Sequence, residues 1–495
     1  MKKELDLVRK YQKEMLSLGR ANALLNWDQE VYMPEKGIGA RAVQSSLLSG
    51  LIHQRATSDD FYDAVRKLMK SELAGDEEIM VRKLYKNLSK ARKIPHELVE
   101  ELSHATTLAG PAWRRARREK SFGVFEPYLK RIIELKRREA GFVKMRGHLY
   151  NGLLDDYEEG MSAEKLRPIF KRLKTGLIDL LGKIENSASY KKTGKSVFVK
   201  ELSINSQKKF VEDVSERIGL TKDRSRIDLS EHPFTTKFGA GDVRITTAYR
   251  KDPFFAFSST IHESGHALYE LNLPEKNEYD VLGDAPSLGL HESQSRFWEN
   301  NVGKSKSFWR FYFPKFKKEF SLKCGFDEFY KEVNSVEKGM IRIESDEVHY
   351  CLHVILRFEI ELGLIDGSVK VKDLPKIWNG KMKEYFGKEP KNDVEGVLQD
   401  MHWSGGNIGY FPTYAIGTVY AAQLWNSLVR KVKGVEKYIE KGDFTKVREW
   451  LKENVHKYGS RYLAEDVIRR ACGEGLKPEI YLEYLKDKYR EIYRF

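Results

Sequence analysis

The chain has 495 residues, of which 41% are hydrophobic and 32% charged; this composition excludes a disordered or fibrous protein and indicates a globular one with a large core. The formal net charge is +14, but acidic residues are mixed with basic ones almost everywhere. We therefore interpret the basic clusters at 114–118 and 136–138 as solvated helix faces and predict no nucleic-acid partner.

The three cysteines, Cys324, Cys351 and Cys472, are odd in number and far apart, which is not the pattern of a disulfide framework. The first residues lack the apolar core of a signal peptide, so we predict a cytoplasmic protein.

The charge-free run at 405–425 contains Pro412, and we interpret it as a buried loop leading into a core helix, not a membrane span. Abundant Lys and Glu suggest the hypothesis of a thermostable protein.

Residues 1 to about 230 show helical periodicity throughout, and we predict helix after helix there, including amphipathic helices at 125–143 and 164–184. Pro34 is predicted to end an early helix. We expect one domain over 1–495: a helical part at 1–230, a metal site and substrate groove at 231–430, and C-terminal helices at 431–495. The fold class is mostly α, a large multi-helix domain.

Two short β-like runs, 234–238 and 243–249, flank the turn-forming residues 239–242 and predict a β-hairpin. An exposed strand edge at this point could pair with an extended peptide, although an ordinary surface hairpin would have the same pattern.

The motif His262-Glu263-Ser264-Gly265-His266 follows directly and is H-E-x-x-H. On a helix, the two histidines lie one turn apart on the same face and can bind one divalent metal ion, zinc by this pattern. Glu263 can reach a metal-bound water as the general base. Gly265 weakens a helix, so we expect another backbone or a ligand to approach closely there.

A catalytic zinc commonly takes a third protein ligand. The metzincin extension would require Gly and His where this chain has Tyr269 and Asn272, which excludes that class. A carboxylate is the alternative. Glu292 lies in a helical stretch within range, but the residues alone leave open three other acids: Asp284, Glu275 and Glu278.

The stretch 340–353 places Arg342, Asp346, His349 and His353 at spacings that predict one polar helix face, either a buried network or the lining of a site. We expect Arg342 to meet a carboxylate, and Asp346 to orient Arg342 or a metal-bound histidine.

Farther along, His402 and the tyrosines Tyr410 and Tyr414 lie on a glycine-rich backbone. Their side chains could donate hydrogen bonds to a developing oxyanion, or simply pack an aromatic loop.

Taken together, these segments resemble the carboxypeptidase Taq family of thermostable metallocarboxypeptidases, which are H-E-x-x-H gluzincins. The resemblance spans nearly the whole chain and rests on several ordered motifs: D-x-R-x-T at 242–246, H-E-x-x-H at 262–266, H-E-S-x at 291–294, I-R-x-x-S-D at 341–346, G-x-x-Q-D-x-H-W at 396–403, and the stretch 27–34. Ser345 departs from the family, which usually carries Ala at this position.

The resemblance implies a saddle-like helical fold with a deep groove, a homodimer, and one zinc or cobalt ion per chain. It implies the removal of single residues from peptide C-termini, with broad side-chain preference and usually no release of proline. It makes Glu292 the preferred third ligand beside His262 and His266.

On this hypothesis Glu263, His402 and Tyr414 are catalytic, with Glu263 as the base and the other two stabilising the oxyanion. Arg342 is the first candidate for binding the terminal carboxylate and Arg244 the second, and Gln399 is assigned to substrate binding. The alternatives are an endopeptidase or dipeptidyl carboxypeptidase of a related helical gluzincin fold, and a basic binding protein that kept a structural metal.

Overall fold

Helices make up most of the protein, and the computed structural model describes residues 1–190 and 203–495. This confirms the mostly helical class. In the first half of the described chain the helices are α1 Lys2–Val31, α2 Ile38–Ala56, α3 Asp59–Leu68, α4 Gly75–Ala91, α5 His96–Glu119, α6 Glu126–Val143, α7 Asn151–Leu154, α8 Ala163–Asn186, α9 Ile204–Ile218 and α10 Pro253–Leu271. In the second half they are α11 Leu288–Arg296, α12 Lys306–Glu319, α13 Phe326–Val333, α14 Glu347–Asp366, α15 Leu374–Phe386, α16 Pro412–Lys431, α17 Val435–Ile439, α18 Thr445–Asn454, α19 Ala464–Cys472 and α20 Pro478–Tyr493.

Within the described residues, the helices predicted in the first part of the chain are confirmed; positions 191–202 of that prediction lie outside the described residues. α1 ends at Val31, shortly before Pro34. α8 begins where the Ser162 side chain accepts a hydrogen bond from the backbone of Lys165, the usual way of satisfying a free amide at a helix start. Its leucines, together with Phe170 and Ile184, recur at helical spacing and are buried, which gives this helix one apolar face toward the core.

The sheet has three strands, β1 Ser225–Leu229, β2 Thr235–Gly239 and β3 Asp242–Thr247, in the order β1-β3-β2. β2 and β3 pair antiparallel, so the predicted hairpin is confirmed. The expectation of helix alone up to residue 230 is wrong, because β1 pairs in parallel with β3. A five-residue strand with a mixed polar sequence carries little periodic signal, and its partner lies beyond the hairpin turn.

Most buried side chains belong to one large apolar cluster, and a smaller cluster joins α1, α3 and α4. α14 and α16 are buried along most of their length in the large cluster. The run at 405–425 is a set of turns followed by α16, as predicted. Of the helices described, none has the length and apolar character needed to cross a membrane.

The two basic clusters differ from each other. Arg114, Arg115 and Arg118 are exposed on α5, as predicted. In the second cluster Lys136 is buried and its ammonium lies 2.7 Å from the Glu139 carboxylate. The interpretation of 136–138 as a wholly solvated face is therefore wrong, because α6 packs this part of its surface inside the protein.

Glu158, between α7 and α8, is a buried acid whose carboxylate contacts the start of α11, where it accepts a hydrogen bond from the backbone of Gly289. Burial raises the pKa of Glu158 to about 8, although hydrogen bonds from Ser287 and Gly289 oppose the shift. Above pH 4.5 the unfolded state releases the Glu158 proton, whereas the folded state keeps it up to about pH 8. The contribution of this group to the free energy of unfolding is therefore greatest at low pH and falls as the pH rises between these two values.

We expect the unfolding free energy to fall as the pH rises from about 5 to about 8, by about 1.4 kcal/mol per pH unit from this group alone. Glu158→Gln should lose this part of the pH dependence, as measured by denaturant unfolding across the range. Glu159→Gln is the matched control: Glu159 is half-buried, and Lys83 and Lys86 lower its pKa despite burial, so its titration falls below this window. Equal slopes in wild type and Glu158→Gln would contradict the assignment.

Candidate active site

The two histidines of H-E-x-x-H lie on α10. This helix begins at Pro253, where the Asp252 side chain accepts a hydrogen bond from the backbone of Phe254, and most of its remaining surface is buried. His262 and His266 are one turn apart with ring centroids separated by 5.1 Å, and both line the same cavity. The helical context that the motif requires is therefore present.

Glu292 meets this pair from α11. Its Oε2 lies 3.6 Å from Nε2 of His262 and 3.4 Å from Nε2 of His266. Within the described residues, these three side chains form the group whose ligand atoms all lie within 4.8 Å of one another. Neither Asp284, Glu275 nor Glu278 belongs to it.

Gly265 explains how α11 comes so close to α10. A Cβ atom at this position would lie 2.5 Å from the carbonyl oxygen of Gln294 and 2.7 Å from Cα of Ser295, closer than such atoms can approach. The main chains of the two helices therefore touch, as the cost of a mid-helix glycine led us to expect. This contact brings Glu292 within reach of both histidines.

A shell of charged partners orients the three side chains. Nδ1 of His262 lies 2.8 Å from Oε2 of Glu299, which leaves its Nε2 facing Glu292. Arg296 donates from Nε to Oε1 of Glu292 at 2.8 Å and from Nη1 to Glu299 at 3.2 Å. Ser258 donates to the other oxygen of Glu299 at 2.7 Å.

The electrostatics of this cluster favour a cation. Burial alone would raise the pKa of Glu292, but Arg296 and the two histidines hold it well below its usual value, so the carboxylate is charged. Burial alone would lower the pKa of His262, but Glu292 and Glu299 raise it to about 9. Two imidazole nitrogens and a charged oxygen facing one point are the donor set that suits zinc or cobalt, so the residues fit a divalent metal ion.

Glu263 occupies the position between the histidines and also lines the cavity. Its Oε2 accepts a hydrogen bond of 2.6 Å from the Thr235 hydroxyl on β2. The carboxylate therefore stands beside the three candidate ligands without belonging to them.

The surrounding cavity has a volume of about 1480 Å³. Its walls come from the residues before and within β2, from α10 and α11, from the segment between α13 and α14, and from the start of α16. A cavity of this volume has room for several residues of a peptide, and it corresponds to the groove that the family resemblance implies.

The prediction of one helix face from Arg342 to His353 is wrong. Arg342 lies in a short 3-10 turn, Arg342–Glu344, and α14 begins only at Glu347. Asp346 is the N-cap, and one of its oxygens accepts hydrogen bonds from the backbone of Val348 and His349. Its other oxygen lies 2.6 Å from Nδ1 of His349, so Asp346 orients neither Arg342 nor a candidate ligand.

Arg342 meets a carboxylate, as expected. It donates from Nη2 to Asp400 at 2.8 Å and from Nε to both Asp400 oxygens at 3.2 Å. Its Nη1 donates to the Tyr350 hydroxyl at 3.2 Å. Arg357 approaches the same carboxylate from the interior, so Asp400 lies between two buried guanidinium groups. Arg342 also lines the cavity.

Gln399 lies behind Arg342 and not on the cavity wall. Its Oε1 accepts hydrogen bonds from the Arg342 backbone at 3.0 Å and from Arg357 at 2.8 Å. Its Nε2 donates to the carbonyl oxygens of Met340 and Glu395. Because both ends of the amide are engaged by protein, the geometry supports a role in holding Arg342 and not in direct substrate contact.

Tyr410 and Tyr414 line the cavity, whereas His402 lies behind them. Nε2 of His402 is 3.2 Å from the Tyr414 hydroxyl. Burial lowers the pKa of His402 to about 4, although Asp400 opposes the shift, so the imidazole is neutral near pH 7. Burial raises the pKa of Tyr414 well above its usual value, so its hydroxyl keeps its proton.

Arg244, the second candidate for the terminal carboxylate, lies outside the cavity wall. It forms a two-point contact with Asp242 at 2.8 and 2.7 Å, and its guanidinium covers the ring of Phe238. On β3 it alternates with the buried Val243 and Ile245, so it points to the other side of the strand.

Sequence reasoning missed Thr235, Arg296, Glu299 and Tyr350 in this site. Arg296 could have been found, because it stands four residues after Glu292 on the same helix, the spacing of an ion pair. Glu299 lies in the π-helical turn Phe297–Val302. A π-helix does not follow the 3.6-residue period of an α-helix, so residue spacing could not predict which side chains share a face there. No local signal connects Thr235 with Glu263, because strand and helix meet only in the folded chain.

Comparison with known proteins agrees with the fold and with the family that the sequence resembles. The model of the family described as carboxypeptidase Taq (M32) metallopeptidase matches residues 7–489. Thermostable carboxypeptidase 1 of Thermus thermophilus is 38% identical over 98% of both chains. The solved M32 carboxypeptidase of Deinococcus radiodurans is 35% identical and covers 100% of both chains with a TM-score of 0.95. The Pyrococcus furiosus carboxypeptidase structure is 36% identical with the same TM-score, 0.95, over 98% of this chain and 99% of that one.

A chain with these relatives, this fold and this donor set is a metal-dependent peptide hydrolase. It belongs to the carboxypeptidase Taq (M32) family and is a metallocarboxypeptidase.

Proposed function

We propose that the enzyme removes single amino acids from peptide C-termini with broad side-chain preference, using one zinc or cobalt ion held by His262, His266 and Glu292. The observation that carries the proposal is the presence, in one cavity, of this three-residue cluster and of the buried guanidinium of Arg342. An exopeptidase needs both: a centre that activates water, and a fixed positive group that recognises the end of the chain.

A divalent cation held by His262, His266 and Glu292 would supply Lewis acidity to a water molecule and to the scissile carbonyl. Glu263 accepts the proton of that water and passes it to the leaving amine as general base and then general acid. The Tyr414 hydroxyl, protonated and facing the cavity, donates a hydrogen bond to the developing oxyanion. Neutral His402 supports Tyr414 from behind.

Arg342 binds the terminal carboxylate in this proposal. Asp400 and Tyr350 hold the guanidinium in one orientation, so little conformational entropy is lost when substrate binds. The positive charge persists at every working pH, because Asp400 and neighbouring tyrosines outweigh the effect of burial and raise the pKa of Arg342. Arg244, already paired with Asp242 outside the cavity, is the weaker candidate.

One peptide prepared as a free acid and as a C-terminal amide tests the reaction. We expect the free acid to shorten by one residue at a time in mass spectra and the amide to remain intact, because only the free acid offers a carboxylate to Arg342. Chelation should abolish release, and zinc or cobalt should restore it. Cleavage of the amide would indicate an endopeptidase and release of dipeptides a dipeptidyl carboxypeptidase. Release unaffected by chelation would contradict a metal mechanism.

We also propose a cytoplasmic, thermostable homodimer. α2 supports self-association: it buries none of its residues in the described protein, and Val43, Leu47 and Leu51 follow one another at four-residue spacing with 70%, 64% and 40% of their surface exposed.

The three unpaired cysteines support a reducing compartment. Light scattering would test the dimer, and a melting midpoint in the ordinary mesophile range would contradict thermostability.

A further inference from the structure

Thr235 makes the contact that connects the sheet to the proposed catalytic base. Its hydroxyl oxygen lies 2.6 Å from Oε2 of Glu263 and 3.1 Å from the backbone carbonyl oxygen of the same residue. Both side chains line the cavity that holds the candidate metal ligands. A hydroxyl has one proton to give, so only one of these two oxygens receives a full hydrogen bond.

The carboxylate is the better acceptor of the two. The carbonyl of Glu263 lies in the middle of α10, where it already accepts the amide proton from the next turn of the helix. The carboxylate is closer, and a hydrogen bond to a charged oxygen is shorter and stronger than one to a neutral carbonyl. The Thr235 proton therefore lies on Oε2 of Glu263.

The strand holds Thr235 firmly in this position. Phe234, directly before β2, and Phe238 within it lie on one face of the strand, where both rings contact the buried Trp27 of α1. Because side chains alternate along a strand, Thr235 and Lys237 face the other way, toward α10. There the Lys237 ammonium lies 3.0 Å from the carboxylate of Glu270, two helical turns beyond Glu263. Two polar contacts thus fix β2 against α10, the metal helix that carries His262 and His266.

We infer that Thr235 is a positioning residue for the general base, an inference that rests on the proposed function. By holding Oε2, it restricts rotation of the Glu263 carboxylate and presents Oε1 as the oxygen that takes the proton from water. A base without this restraint samples orientations in which neither oxygen points toward the water, and turnover then falls even though substrate binding is unchanged.

The test compares three variants at positions 235 and 236. Thr235→Val keeps the shape and removes the hydroxyl, and we expect kcat to fall about 10- to 100-fold with KM and bound zinc close to wild type. Thr235→Ser restores the hydroxyl and should recover most of the rate. Thr236→Val is the matched control: the same change on the same strand, but on the side chain that faces away from α10, should leave kcat unchanged.

Several results would overturn the inference. Wild-type kcat in Thr235→Val, or an equal loss in Thr235→Ser, would show that the hydroxyl does not orient the base. A rise in KM with unchanged kcat would assign Thr235 to substrate binding instead. Loss of bound zinc in Thr235→Val would indicate a purely structural role. Glu263→Gln distinguishes a failure of the proposed function from a failure of this inference. If that variant keeps full activity, Glu263 is not the general base. If it is inactive while Thr235→Val is normal, only the positioning role of Thr235 is refuted.

Discussion

Replacing Glu263 with Gln should reduce kcat by about 100- to 10,000-fold, the usual contribution of a general base, while the bound metal and the fold remain. The side chain keeps its size and can still accept a hydrogen bond from Thr235, but an amide cannot take a proton from water. Steady-state kinetics on a free-acid peptide, together with metal analysis of the purified variant, measure both expectations.

Glu275→Gln is the control for this experiment. Glu275 follows the same helix in the chain, its side chain is 73% exposed, and its nearest cation is Arg224 at 3.6 Å, so the same chemical change there should leave kcat unaltered. Normal turnover by Glu263→Gln would refute the base assignment. Loss of metal from that variant would instead place Glu263 among the groups that hold the ion.

Replacing Arg342 with Lys should raise KM for free-acid peptides by about 100-fold with a smaller change in kcat. The reason is that disrupting a buried, hydrogen-bonded charge pair costs about 2 to 3 kcal/mol of binding free energy, here between the guanidinium and the terminal carboxylate of the substrate. The substitution keeps the charge that Asp400 requires but removes the planar fork that can bind Asp400 and a terminal carboxylate together. Initial rates over a range of peptide concentrations separate KM from kcat.

Arg244→Lys serves as the matched control, since this guanidinium is paired with Asp242 outside the cavity wall. We expect its kinetics to resemble those of the wild type. If Arg244→Lys raises KM and Arg342→Lys does not, recognition of the terminal carboxylate belongs to Arg244, and the substrate extends toward the sheet.

The part of the site that is local in sequence could be predicted, and the part assembled by packing could not. His262 and His266 are one helical turn apart, so their shared face follows from the motif, and Gly265 indicated a close backbone contact that the structure contains. Glu292 was one acid among four until the family resemblance favoured it. Its approach depends on how α11 packs against α10, which no spacing in the chain encodes.

The errors have equally physical causes. Counting a helical period from Arg342 to His353 ignored that Asp346 is a strong N-cap residue, able to end one element and begin another. β1 was missed because its five-residue, mixed polar sequence carries little periodic signal and its parallel partner β3 lies beyond the hairpin turn. Glu299 and Thr235 reach the metal helix from a π-helical turn and from a neighbouring strand, so their roles became visible only in three dimensions.

The contact at Gly265 has a consequence for how this enzyme can diverge. Because main-chain atoms of α10 and α11 touch at Gly265, the aperture available to an ion depends more on this contact than on which hydrophobic residues fill the surrounding interior. Substitutions among those hydrophobic residues can therefore accumulate while the preference for an ion of a given radius is retained, provided that position 265 remains glycine.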